Sequence, residues 1–169
     1  VSGGWQDQYA TVFGGFNFME FRDSQNLIHP LRLSEDTLSE LENNLILCYT
    51  NISHKDDGIH RTQKSNTSQG KVVNNIKQNV LLCYKTRNTL LRGELNEFGT
   101  LLDDAWQLKK TFSKEITNKY LDNIYNGALK NGATGGKLLG AGGGGYFIFY
   151  VKAKEKINFL KWLKSQDLK

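Results

Sequence analysis

Residues 137–151 read KLLGAGGGGYFIFYV, a glycine-rich run that passes straight into six almost wholly apolar residues. YFIFYV, Tyr146 to Val151, reads as a buried strand. Each glycine ahead of it loses backbone entropy on folding and offers no side chain to pack, so Gly142 to Gly145 are expected where bare backbone is needed. Gly140-x-Gly142-x-x-Gly145 has the spacing of a dinucleotide fingerprint, but that motif follows a strand and opens a helix, whereas here a strand follows. A Walker A loop is excluded as well, because Lys137 precedes the glycines and no Lys-Ser or Lys-Thr pair closes them. The remaining reading is a glycine turn between a helix and a strand, whose amides crowd against an anion or another backbone. A tight bulge with no ligand is the alternative.

Downstream, Ile157, Leu160 and Leu163 recur at helical spacing with lysines on the outer face, which predicts a closing amphipathic helix. Upstream, three long helices are expected. Val72, Val73, Ile76, Val80, Cys83, Tyr84 and Leu91 form one stripe; Leu95, Phe98, Leu102, Ala105 and Lys109 with Phe112 form the next. Leu121, Ile124, Tyr125, Ala128 and Leu129, after Asn118, form the third, and all three stripes read as core. Arg92-Gly93 separates the first two and Asn131-Gly132 closes the last. Leu45 to Tyr49 reads as a buried strand, and Ser34 with Glu35, Asp36 and Thr37 ahead of Leu38 and Leu41 as a short capped helical turn. FNFMEF and LIHPLRL alternate with period two around a turn signal at Asp23 and Ser24, a hairpin whose second strand Pro30 places at an edge. Helices on a mostly antiparallel sheet make the fold class α+β.

The 169 residues are 38% hydrophobic and 23% charged, a balance that suits one packed domain or one domain with a piece of another. No apolar run approaches the ~20 residues that cross a bilayer, and VSGGWQDQ lacks the features of a signal peptide, so a cytoplasmic chain with no membrane partner is expected. Of the net charge of +5, most is local: residues 152–169 hold six lysines against Glu155 and Asp167. That local tail gives no reason to expect nucleic acid. Cys48 and Cys83 lie inside apolar patterns and are expected as buried thiols, not a disulfide. Residues 51–70, NISHKDDGIHRTQKSNTSQG, have little to bury and are expected as a mobile loop or weak helix. His54, Asp56, Asp57 and His60 are not expected to hold a metal in that setting, and no metal site is assigned elsewhere.

The second informative stretch is GGWQDQ, residues 3–8. Tyr9, Val12 and Phe13 share a helical face and Gly14-Gly15 ends the helix, which starts near Asp7. An acid in a helix's first turn is commonly a cap, stabilised by free amides and the dipole. The same setting keeps a carboxylate ionised, and two glycines ahead of it admit a substrate closely, which suits a base for a hydroxyl proton. Both readings stay open on these residues alone.

Gly4-Trp5-Gln6-Asp7-Gln8 combined with the late loop Gly140 to Gly145 resembles the GHMP small-molecule kinases. Within that superfamily GGWQDQYATVFGGFNFMEF, HPLRL, LRGELNEFG and KLLGAGGGG look most like D-glycero-D-manno-heptose 7-phosphate kinases, over nearly the whole chain. The resemblance implies that residues 34–169 are a GHMP kinase C-terminal domain and residues 1–33 the end of the ribosomal S5-like N-terminal domain. It implies Asp7 as catalytic base or orienting carboxylate for a sugar hydroxyl attacking the γ-phosphorus of ATP. It implies Gly140, Ala141, Gly142, Gly143, Gly144 and Gly145 as a loop whose amides lie near the transferring phosphate and substrate. Lys137 is a candidate electrostatic contributor, against a solvent-facing lysine. Gly4, Trp5 and Gln8 are candidates for the sugar pocket, against core packing for Trp5 and local hydrogen bonding for Gln8.

The implied small molecules are ATP and a heptose 7-phosphate, phosphorylated at the anomeric hydroxyl on the way to nucleotide-heptose and surface glycans such as lipopolysaccharide. An L-fucokinase-like enzyme is the second reading, and a non-catalytic sugar- or partner-binding module the third. Family members carry a Ser- and Gly-rich loop that wraps the ATP phosphates and supplies Mg²⁺ contacts. Nothing in this chain resembles that loop. The residues are therefore expected to be the C-terminal half of a kinase, with Mg²⁺ ligands mainly elsewhere and no turnover by the chain alone.

Overall fold

The computed structural model describes residues 4–53 and 70–168. The expectations for the 51–70 segment, including its four candidate metal ligands, lie almost wholly outside the described residues. The first unit is a helix, α1 (Gln6–Phe13), followed by the hairpin β1 (Asn17–Phe21) and β2 (Asn26–Pro30). Gly14 and Gly15 end α1 with φ of 61° and 60°, the left-handed backbone that glycine adopts without strain. Pro30 is the last residue of β2 and pairs with Asn17 in a two-stranded sheet, where both strands are edges.

The main body begins with α2 (Glu35–Asn44) and β3 (Leu45–Tyr49). The Ser34 hydroxyl accepts from the Thr37 amide at 3.2 Å, and Glu35 and Asp36 sit in the first turn, a cap and charge arrangement that starts a helix. The helix runs ten residues, longer than the single turn expected. Then come α3 (Gly70–Arg92), α4 (Leu95–Lys110), α5 (Lys119–Lys130), β4 (Ala133–Leu138), β5 (Tyr146–Val151) and α6 (Ala153–Ser165). β5 is the central strand of an antiparallel sheet ordered β3-β5-β4. This α+β arrangement is the one the sequence predicts.

One face of β5 is buried along its length and the other is buried at Tyr150, with Ile148 half-buried and Tyr146 exposed at the strand's start, which is why YFIFYV is largely apolar rather than alternating. Phe147, Phe149 and Val151 point into one core with Cys48, Trp106, Tyr125 and Phe159. Tyr150 points the other way, into a second core with Leu41, Leu90, Leu95 and Phe98, as the period-two pleat requires. Its hydroxyl is held by Asn44 and Glu40 at 3.0 and 3.1 Å.

Three readings need correction. First, the glycine turn was expected to follow a helix directly, and β4, with sequence ATGGKL, lies between them; two internal glycines ordinarily argue against a strand. They are there for contact: a Cβ on Gly136 would meet the Phe149 ring at 2.5 Å, and one on Gly135 would run into α4. Second, the α3 stripe is not core throughout. Val72 is buried, but Val80 and Leu91 stand about half exposed and Val73 is exposed too; periodicity shows that a helix face is apolar, not that this chain covers it. In α4, likewise, Leu101 and Trp106 are buried while Leu102 and Ala105 are only half-buried, because the helix packs on both α3 and β4. Third, Cys48 is buried, as expected, but Cys83 on α3 is exposed.

Candidate active site

The glycine loop connects β4 to β5, two strands, and not a helix to a strand as the sequence suggests. The Leu139 amide donates to the Tyr146 carbonyl at 2.8 Å and closes the hairpin. Two further amides are tied inward: Gly143 donates to the Ile116 carbonyl and Gly145 to that of Ile52, each at 2.9 Å. The Gly145 carbonyl in turn accepts from both the amide and the hydroxyl of buried Thr50, at 2.9 and 2.8 Å. Among the described residues, the amides of Gly140, Gly142 and Gly144 have no hydrogen-bond partner.

Why glycine is needed now has two answers. The φ angles of Gly140, Gly142, Gly143 and Gly145 are 66°, 125°, 77° and 90°, a region other residues enter only with strain. Neighbouring backbone also leaves no room: a Cβ on Gly142 would stand 2.8 Å from Ile116 Cα, and one on Gly144 2.8 Å from the Ile52 carbonyl oxygen. Tight packing and unpaired amides therefore coexist in one loop.

Two lysines stand at its foot. In the last turn of α4, the Lys109 ammonium donates to the Leu138 carbonyl at 3.0 Å and to the Gly140 carbonyl at 2.5 Å. Burial pushes its pKa down to about 8, and the neighbouring Lys137 cation adds to the effect. Lys137, on β4, is half-buried rather than solvent-facing, and burial lowers its pKa too; Cys83 of α3 lies close enough to oppose that slightly. Among the described residues neither lysine has a carboxylate partner. Sequence reasoning missed Lys109, since a lysine ending a helix is what the dipole favours anyway. Ile52 and Ile116, which anchor the loop through backbone carbonyls, and Thr50, which anchors it through its amide and hydroxyl, have no sequence signal.

Asp7 lies in the first turn of α1, exposed, and Trp5 at the N-cap makes no side-chain capping bond. The Asp7 backbone carbonyl accepts from the Thr11 hydroxyl at 2.7 Å, and among the described residues the Asp7 carboxylate makes no hydrogen bond. Trp5 is 60% exposed, so core packing does not account for it, and Gly4 and Gln8 are exposed as well. What holds this segment is a relay of contacts. The Tyr9 ring packs on Phe21 and its hydroxyl accepts from Asn26 at 3.0 Å, which seats α1 on the hairpin. The hairpin is seated on α3 through Glu20, whose Oε2 accepts from Arg22 at 2.7 Å and from the Tyr84 hydroxyl at 2.9 Å. Those two bonds, Arg22 first, hold the Glu20 carboxyl below its ordinary range. The Arg87 guanidinium lies 4.7 Å over the Phe18 ring, and Phe18 packs on Tyr84. No hydrogen bond, ion pair or ring contact joins α1 directly to the glycine loop among the described residues.

A groove of about 610 Å³ runs between α3 and α4, lined by Leu81, Leu82, Leu108, Asn75, Gln107 and Thr111 among others, and none of the sequence-predicted site residues lines it. Among the described residues no group of three or more His, Cys, Asp or Glu side chains could hold a metal ion, and no helix is long and apolar enough to cross a membrane.

Residues 87–161 match the family model described as GHMP kinases C terminal. The chain is 37% identical over 99% of its length to a D-glycero-alpha-D-manno-heptose 7-phosphate kinase of Campylobacter jejuni, and spans 50% of that relative. It is 27% identical over 95% of its length to a bifunctional fucokinase/GDP-fucose pyrophosphorylase of Arabidopsis thaliana, of which it covers 16%. A crystal structure of a D-glycero-D-manno-heptose 1-phosphate kinase from Bacteroides thetaiotaomicron superposes with a TM-score of 0.67 at 28% identity, covering 98% of this chain and 44% of that one. The chain thus spans about half the length of the heptose kinases it matches.

Proposed function

We propose, starting from a chain whose residues 87–161 are a GHMP kinase C-terminal domain, that the polypeptide containing it is an ATP-dependent sugar kinase with the Gly140–Gly145 loop as one wall of its phosphoryl-transfer site. One observation carries this reading: among the described residues, Gly140, Gly142 and Gly144 leave their amides without a protein partner in a loop that is otherwise pinned. Unpaired amides are uncommon in folded backbone, and glycine-rich turns that present them bind anions. Lys109 and Lys137 add positive charge at the loop's foot, and among the described residues no carboxylate neutralises them.

Phosphoryl transfer rests on positioning and on charge stabilisation. Asp7 takes the proton of the attacking sugar hydroxyl as its oxygen bonds to the γ-phosphorus and the bond to ADP breaks. The loop amides meet the charge on the transferring group. Gly4, Trp5 and Gln8 flank Asp7 and shape the sugar pocket, with the exposed Trp5 indole as its flat wall. Mg²⁺ supplies charge neutralisation at the phosphates when bound, and no described side-chain cluster is assigned to it. The domain boundary falls between residues 33 and 34, a placement favoured by the separation of the β1–β2 hairpin from the main sheet.

The substrate is a heptose 7-phosphate, phosphorylated on its anomeric hydroxyl for nucleotide-activated heptose and surface glycan. The likeness to the C. jejuni enzyme over 99% of the chain supports it. The Arabidopsis match supports L-fucose as the second reading. The test is ³¹P NMR of ATP with each sugar, using the whole polypeptide with the N-terminal half that its relatives carry. A new phosphate ester with the heptose and none with fucose is expected; the reverse result moves the assignment to fucose, and no ester with either removes it.

A further inference from the structure

We infer that Lys109 is the positioning residue of the glycine loop, fixing its entrance as Ile116, Ile52 and Thr50 fix its exit. For its effect on turnover this rests on the kinase reading above; for its effect on the loop it does not. The geometry is direct. One ammonium reaches the carbonyl of Leu138, the last residue of β4, and the carbonyl of Gly140, the first glycine of the loop. Each carbonyl belongs to a rigid peptide plane. The first plane carries the Leu139 amide, which is bonded to Tyr146; the second carries the amide of Ala141. Lys109 therefore sets two planes at the point where Gly140 turns the chain with φ 66°.

At the far end, Gly143, Gly145 and the Gly145 carbonyl are bonded to Ile116, Ile52 and Thr50. The unpaired amides of Gly142 and Gly144 lie in the part of the loop fixed by these anchors. A partly buried ammonium beside a second lysine is an unfavourable arrangement, and a methionine at position 109 would avoid it. What the lysine gives in return is two donors aimed at backbone oxygen, on a stem long enough to reach them from the last turn of a helix.

The variant is Lys109→Met, which keeps the apolar stem and removes the donors. Amide hydrogen exchange in the 169-residue chain is expected to quicken by about tenfold or more at Leu139, whose peptide plane Lys109 holds, while the β3–β5 ladder keeps its rates, because opening is local. In the whole polypeptide, kcat for sugar phosphorylation is expected to fall about tenfold or more with KM for the sugar within about threefold, the pattern of a lost transition-state contribution. Lys109→Arg, which still presents two donors, is expected to recover most of both. Unchanged exchange at Leu139, or an equal rise throughout the chain, overturns the inference, as does a KM effect with kcat intact. If the wild-type polypeptide phosphorylates no sugar, the kinase reading falls and the exchange rates alone decide the role of Lys109.

Discussion

Gly135 of β4 meets Gly99 of α4 backbone to backbone: a Cβ on Gly135 would lie 1.9 Å from the Gly99 carbonyl oxygen. This contact draws the helix onto the strand, and so brings Lys109, farther along α4, to the carbonyls that open the glycine loop. Gly135→Ala must push the two elements apart. Overpacking of this kind costs about 1–3 kcal/mol, and at this size each kcal/mol is worth about 2–4 °C in melting temperature. A variant melting within 1 °C of wild type, which by the same scaling is well under ~1 kcal/mol, would contradict the contact.

Lys109 holds its proton less tightly in the folded chain, where burial brings its pKa from 10.5 to about 8. Between those values the unfolded chain binds more protons at this site, so its contribution to stability rises as pH increases from about 8 toward 10.5. Cys48, pushed up from 9.0 to about 11 by burial, works in the opposite sense above pH 9, where only the unfolded thiol ionises. The clear window is therefore pH 8 to 9. In urea titrations wild type is expected to gain up to ~1 kcal/mol over Lys109→Met across it; a constant difference between the two proteins contradicts the shifted lysine.

The division of the loop amides predicts a pattern in NMR. When ATP is titrated into the ¹⁵N-labelled chain, the amides of Gly140, Gly142 and Gly144 are expected to shift, because they have no protein partner among the described residues. Those of Gly143 and Gly145, already bonded to Ile116 and Ile52, are expected to move least. Equal shifts at all five glycines, or none, would rule out the anion-facing role for the unpaired set. Substituting Gly143 is a poorer probe, since its φ of 77° makes any side chain strained whatever the loop binds.

The strand YFIFYV, the cap at Ser34, the start of the third long helix at Asn118 and the terminators Gly93 and Gly132 were legible because each is a local signal. Asn118 accepts from the Leu121 amide at 3.0 Å, and both glycines take positive φ. β4 was not legible, because Gly135 and Gly136 are required by contacts with residues distant in sequence, Gly99 and Phe149. The exposed side of α3 was misread for a related reason: an apolar stripe does not name its partner. In the candidate site, Asp7 and the glycines were found through motif and resemblance. Ile52 and Ile116 act through backbone groups, Lys109 from an ordinary helix end and Thr50 through its amide and a hydroxyl at a strand's end, and no local pattern distinguishes any of them.

The hairpin relay predicts that Asp7 is placed from a distance. Tyr84→Phe removes the hydroxyl that Glu20 accepts at 2.9 Å while keeping the ring against Phe18. Sugar phosphorylation by the whole polypeptide is expected to drop about threefold to tenfold, since small displacements of a reacting group are costly. An unchanged rate would mean that the N-terminal half positions α1 without help from α3.

The central claim is tested most directly by single-turnover phosphorylation of heptose 7-phosphate by the whole polypeptide, wild type against Asp7→Asn. The amide keeps the shape of the carboxylate but cannot accept the hydroxyl proton. The account predicts a rate at least about a hundredfold lower for Asp7→Asn, the scale of a lost general base, with ATP affinity nearly unchanged. A fall of less than about tenfold, or roughly 1.4 kcal/mol in barrier, would contradict it and leave Asp7 as an exposed helix-end acid.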